Sequence, residues 1–388
     1  MVFNRSCPGI SMLGMLCLLR LVRPTVSMLG DGSSPIRKVE SHPGDPATLV
    51  GYKLTDTTAV CLDGSPGMYY YRRGGNHRKW FIYHQGGGWC DSLDDCLSRS
   101  QTDLGSSKNY PANFSQNDEF FSLDPEDNPL MHDWNMVYFM YCDGNSFSGS
   151  NSSTTKHGNA TLHFRGKRIL DAGLAQLTSL KHATDVVISG CSAGGLATFL
   201  HCDHYAEKLP NAKVVCVPQS GFFPDGPPNY HAGMTWAFHQ QNASVNQDCL
   251  ESQVPQSNCN FAQYVMKYIR TPVFPLQSTY DTWQTANEIY SNDVDLINEW
   301  GKNLTLLVWT NLLLLHDKRH GIFLDSCSHH CGAWSIVIHG DTQSTAMMKW
   351  YNQVGRRMWI QGKDYPCLEC CGGQDKSKTV ALLSLGIR

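Results

Sequence analysis

Apolar positions along the chain cluster in short β-type runs separated by glycine-rich turns, with one clear helical stretch among them. Residues 79–84 and 135–141 read as buried strands, and 185–189 and 214–217 read as two more. Between the second and third runs, Ile169, Leu170, Leu174, Leu177 and Leu180 recur at helical spacing over residues 165–182. Parallel apolar strands joined by a helix predict a mostly parallel, doubly wound α/β sheet. Nearer the start, Val60-Cys61-Leu62 and Met68-Tyr69-Tyr70-Tyr71 flank Asp63-Gly64, which predicts a hairpin. Residues 269–276 are apolar but broken by Pro272 and Pro275, and 321–324 predict a short strand. The apolar run over 292–315 suits either a helix or a strand. Residues 224–262 read as irregular, with Cys249 and Cys259 suggesting an insertion held by a disulfide.

The sharpest local signal is residues 187–197, Val-Ile-Ser-Gly-Cys-Ser-Ala-Gly-Gly-Leu-Ala. A β-type run leads into a serine set among three glycines, and a helix-like run follows. Gly190, Ser192 and Gly194 fit the G-x-S-x-G nucleophile elbow, where a serine is exposed on a tight strand-to-helix turn. Residues beside such a turn must be small, because neighbouring backbone comes too close for a side chain. A serine nucleophile needs a base, and the base needs an acid; in this fold class they follow the serine in the order acid, then histidine. Asp281 after the 269–276 run and His330 in Ser328-His329-His330-Cys331 satisfy that order, with His329 as the local competitor. Gly86-Gly87-Gly88-Trp89 follows a strand and suits a loop whose N–H groups face an oxyanion; it would also suit a loop that merely needs positive φ.

Composition narrows the setting. A net charge of −3 gives no reason to expect nucleic acid. Of 16 cysteines, Cys7 and Cys17 lie in an apolar N-terminal stretch, and the remainder run from Cys61 to Cys371. No paired C-x₂-C spacing points to zinc, so disulfides in an oxidising compartment are expected, with no metal and no cofactor. Asn113, Asn151, Asn159, Asn242 and Asn303 each open a glycosylation sequon. The expected organisation is a signal peptide or anchor over 1–27 and a flexible lead-in over 28–48. One catalytic domain with loop insertions then covers 49–371, ahead of a tail over 372–388.

Beyond these local signals, the chain resembles the pectin acetylesterase family, to which the Notum carboxylesterases also belong. The matching residues are 86–90 (Gly-Gly-Gly-Trp-Cys), 141–144 (Tyr-Cys-Asp-Gly), 164–166 (Phe-Arg-Gly), 190–197, 201–203 (His-Cys-Asp), 221–223 (Gly-Phe-Phe), 278–284 (Ser-Thr-Tyr-Asp-Thr-Trp-Gln), 326–327, 330–331 and 365–367. The Gly-Cys-Ser-Ala-Gly-Gly and His-Cys-Asp forms look closer to plant-type pectin acetylesterases. The resemblance implies an α/β-hydrolase fold with Ser192 as nucleophile, Asp281 as acid and His330 as base. It implies oxyanion donors at the backbone N–H of Gly88, Trp89 and Ala193. It also implies a secreted or cell-wall esterase acting on acetylated polysaccharide. A Notum-like esterase for long acyl groups on protein, a serine peptidase and a catalytically silent binding protein are the alternatives. One departure stands out: the family tends to carry an aspartate where this chain has Gln219.

Overall fold

The computed structural model describes residues 44–314 and 317–371. The expected signal or anchor segment, most of the lead-in and the tail lie outside the described residues. A ten-stranded sheet forms the centre. Its order is Met358–Ile360, Ile322–Asp325, Leu276–Ser278, Lys213–Gln219, Asp185–Cys191, Asn76–His84, Trp134–Phe139, Met68–Arg72, Thr48–Lys53 and Asn113–Ser115. From Met358–Ile360 to Trp134–Phe139 all neighbours are parallel. The last three strands continue antiparallel.

The apolar runs form strands here because both sheet faces are covered. Phe81 pairs with Val187 and Ile82 with Ile188. Ile82, Val137, Val186 and Ile188 join one core layer, whereas Phe81, Met136, Val187 and Val215 join the other. Truncating such a fully buried side chain to alanine costs about 2–5 kcal/mol. Helix Ala193–Lys208 packs on strands Asp185–Cys191 and Lys213–Gln219, and most of its side chains are buried.

Two sequence expectations change, and one that the sequence left open is settled. The hairpin joins Thr48–Lys53 to Met68–Arg72, while Val60-Cys61-Leu62 lies in the connection between them. There Val60 makes an isolated bridge to Pro66, and Cys61 is drawn into a disulfide with Cys142. The stretch read as irregular contains helix Pro228–Gln240. Its buried residues Tyr230, Gly233, Met234, Ala237 and Phe238 do follow helical spacing. Two are small, though, and Pro228 stands in the first turn, where proline is tolerated. The ambiguous apolar run is helix Val294–Leu314. Ile297, Leu304 and Val308 face the core, while exposed Leu306 and Trp309 hid that period from the sequence.

All fourteen cysteines from Cys61 to Cys371 are paired. The bridges are Cys61–Cys142, Cys90–Cys96, Cys191–Cys331, Cys202–Cys216, Cys249–Cys259, Cys327–Cys371 and Cys367–Cys370. The expected bridge inside the insertion is Cys249–Cys259.

Candidate active site

Ser192 stands between strand Asp185–Cys191 and helix Ala193–Lys208, with φ 59° and ψ −124°. A side-chain-bearing residue is strained in that region by roughly 1–3 kcal/mol, so the surroundings must hold it there. The packing does so. A Cβ on Gly190 would run into the Gly194 carbonyl, and one on Gly194 would run into the His84 carbonyl oxygen. The Ser192 N–H donates to Gln219 O at 3.0 Å. Ala193 opens the following helix, so its N–H lies at the positive end of the helix dipole.

Asp281 follows strand Leu276–Ser278 and caps the short helix Thr282–Gln284. Its Oδ1 accepts from the N–H groups of Trp283 at 2.9 Å and Gln284 at 3.2 Å. His330 lies in the loop after strand Ile322–Asp325, with Nδ1 2.8 Å from each Asp281 carboxylate oxygen. Asp281 is fully buried and the His330 side chain is 3% exposed. The Cys191–Cys331 disulfide joins the residue before Ser192 to the residue after His330. A His330 nitrogen and those two sulfurs lie within 4.8 Å of one another. The sulfurs are bonded to each other and offer no thiolate to a metal.

His329 turns to a different carboxylate. Its Nε2 lies 3.1 and 3.2 Å from the two oxygens of Asp325, and its Nδ1 lies 3.3 Å from Cys331 O. Both ring nitrogens are thereby engaged by groups other than the serine.

The glycine loop after strand Asn76–His84 is held from outside. Arg99 donates from Nη1 to Gly87 O at 2.6 Å and from Nη2 to Trp89 O at 3.2 Å. The Tyr141 hydroxyl donates to Gly88 O at 2.6 Å and accepts from Ser146 N at 3.0 Å. In a trans peptide the C=O and the following N–H point in opposite directions. Arg99 therefore aims the Gly88 N–H, and Tyr141 aims the Trp89 N–H. Gly88 needs its φ of 65° to make this turn. Nothing in the local sequence marks Arg99; Tyr141 could have been suspected from its place at a strand end beside Cys142.

Beside this loop the Trp89 ring meets Phe223 at 4.8 Å, Trp283 at 5.7 Å and Tyr230 at 6.0 Å between centroids. Phe223 and Trp283 each lie 6.4 Å from the His330 ring. All four aromatic side chains are buried.

Gln219, the departure from the family pattern, donates from Nε2 to Gly332 O at 3.1 Å, so it supports the histidine loop as a neutral group. Its side chain also bears on the nearby Glu119 carboxyl. Burial, and then the neighbouring Asp118, push that carboxyl up to about 7, against the pull of Gln219, His329 and a backbone N–H.

A family model described as Pectinacetylesterase matches residues 45–372. The chain is 36% identical over 372 residues to pectin acetylesterase 5 of Arabidopsis thaliana, covering 84% of this chain and 86% of that protein. It is 29% identical to the palmitoleoyl-protein carboxylesterase NOTUM of Homo sapiens, covering 60% of this chain and 50% of that protein. Among solved structures, the Wnt deacylase Notum from Drosophila matches with a TM-score of 0.75 at 23% identity, over 84% of this chain and 99% of that chain. That likeness establishes the shared α/β-hydrolase fold. On the family match and the close relatives together, the chain belongs to the pectinacetylesterase family and is a carboxylic ester hydrolase.

Proposed function

We propose that this enzyme is a secreted serine esterase that removes acetyl groups from a pectin-like polysaccharide through Ser192, Asp281 and His330. The carrying observation is the pair of 2.8 Å contacts between His330 Nδ1 and Asp281, on a loop bonded to the strand of Ser192 by Cys191–Cys331. Asp281 holds the imidazole with Nδ1 protonated, which leaves Nε2 as the basic nitrogen that takes the Ser192 proton. Ser192 Oγ attacks the acyl carbon as its proton passes to His330. The oxyanion forms against the N–H groups of Gly88, Trp89 and Ala193. His330 then protonates the departing sugar hydroxyl. Water, deprotonated by His330, cleaves the acyl-serine and releases acetate.

The acetyl preference is supported by the aromatic packing beside the oxyanion loop. Trp89, Phe223, Tyr230 and Trp283 touch one another, so a long acyl chain would have to part these rings. A short acyl group needs no such opening. Secretion is supported by seven disulfides and by exposed sequon asparagines at 113, 159, 242 and 303. No helix among the described residues is long and apolar enough to cross a membrane.

The test is a chain-length series of p-nitrophenyl esters, run beside acetate release from acetylated pectin. kcat/KM is expected to peak at acetate or butyrate, with acetate released from pectin. A rise toward long chains, with pectin untouched, would overturn the substrate and favour the Notum-like alternative. For the oxyanion donors, Tyr141→Phe frees the Gly88–Trp89 peptide to rotate. It should lower kcat on p-nitrophenyl acetate by about tenfold, less than the 10²–10³ of losing a donor outright, with KM little changed. An unchanged kcat in a folded Tyr141→Phe enzyme would remove Trp89 from the donor set.

A further inference from the structure

The pair formed by His329 and Asp325 takes no part in the reaction just described, yet it lies directly beside it. Nε2 of His329 faces both Asp325 oxygens at 3.1 and 3.2 Å, and Nδ1 faces the Cys331 carbonyl at 3.3 Å. A neutral imidazole carries one N–H and can satisfy one acceptor, whereas an imidazolium satisfies both. Asp325 is itself fully buried, and its Oδ1 accepts the Cys327 N–H at 3.0 Å. The His329 carbonyl accepts the Thr282 N–H at 3.1 Å, which ties this residue to the turn of Asp281. His329 thus touches the strand end at Asp325, the acid's turn and both sides of His330.

We propose that His329 is a cationic positioning residue for the general base. Protonated on both nitrogens, it bridges Asp325 and the Cys331 carbonyl. The bridge fixes the turn that keeps His330 on Asp281, and its charge opposes early protonation of the adjacent His330. The proposal rests on the reading of His330 as the base.

The titratable groups facing His329 are Asp325 from its strand, Asp281 from the acid's turn, Glu119 from the segment under the loop, and neighbouring His330. Burial works against a charged His329. The Asp325 carboxylate outweighs it, helped by Asp281 and the Cys331 carbonyl, and the pKa is raised above 6.5. Because the value is raised, the bridge is complete below about pH 6.5 and is lost as pH rises through the raised value. Removing the cation while Asp325 stays charged makes protonation of His330 easier. The acid limb of kcat/KM must then move to higher pH.

The experiment is the pH profile of kcat/KM on p-nitrophenyl acetate for wild type, His329→Gln and His329→Lys. His329→Gln keeps a donor for Asp325 without the charge. Its acid limb should rise by about half a pH unit or more, as for a charge removed at a few ångströms. His329→Lys keeps the charge, and its limb should stay near that of wild type. Superimposed limbs for wild type and His329→Gln would overturn the proposal, as would equal displacement in both variants. Should His329→Gln fail to fold, the nitrogen shifts of His329 in ¹⁵N-labelled wild type decide. Two protonated nitrogens at pH 6 are expected, and a neutral tautomer would overturn the proposal. Failure of the base assignment itself is distinguishable, because His330→Ala would then keep its activity.

Discussion

Replacing Ser192 by alanine is expected to lower kcat/KM for p-nitrophenyl acetate by about four to six orders of magnitude while leaving the fold intact. Alanine removes Oγ and nothing else that holds the turn. The Ser192 N–H bond to Gln219 O uses backbone, and the close approaches at Gly190 and Gly194 do not involve the hydroxyl. The thermal midpoint should therefore stay close to that of wild type. Residual hydrolysis above the water rate would come from the glycine loop and helix N-terminus acting on bound ester. The measurement is initial rates on a variant shown to be folded by circular dichroism. Near-normal turnover there would falsify the nucleophile assignment.

Asp281→Asn should cost about 10³–10⁴ in kcat, the second-largest effect expected. Asparagine is as good an N-cap as aspartate, so the bonds from Trp283 and Gln284 can persist and the short helix should hold. What changes is the imidazole. An amide presents one acceptor and one donor where His330 Nδ1 now meets two acceptor oxygens at 2.8 Å. The wrong tautomer, or a lost anchor for the imidazolium, then blocks proton transfer from Ser192. Asp325→Asn is the control, because Asp325 faces His329. Its kcat should fall far less. If the two variants were equally impaired, Asp281 would lose its place as the acid that orients the base.

The glycines around Ser192 were legible because an elbow is a local object. Its requirement for small neighbours is written within five residues, and the strand and helix that flank it carry their own periodicity. The buried parallel strands were legible for a related reason, since covering both faces makes each an unbroken apolar run. Helix Pro228–Gln240 was not legible. Its buried face includes Gly233, which lies close to Asp91, and that contact belongs to a residue far away in the chain.

What the sequence determined by itself was the turn that presents Ser192, the main strands of an α/β sheet, and an even set of cysteines suited to pairing. What only the tertiary structure decided was which groups meet across long separations. Two adjacent histidines meet different carboxylates, with His330 against Asp281 in the turn after one strand and His329 against Asp325 at the end of another. Cys331 could have closed a short loop with Cys327, but it reaches Cys191 instead. The peptide planes of the glycine loop are set by Tyr141 and by Arg99, which no motif marks. Each of these contacts depends on a direction in space that chain distance does not encode. A parallel sheet gathers the ends of distant strands at one edge, and the folded packing then selects which side chains come within 3 Å.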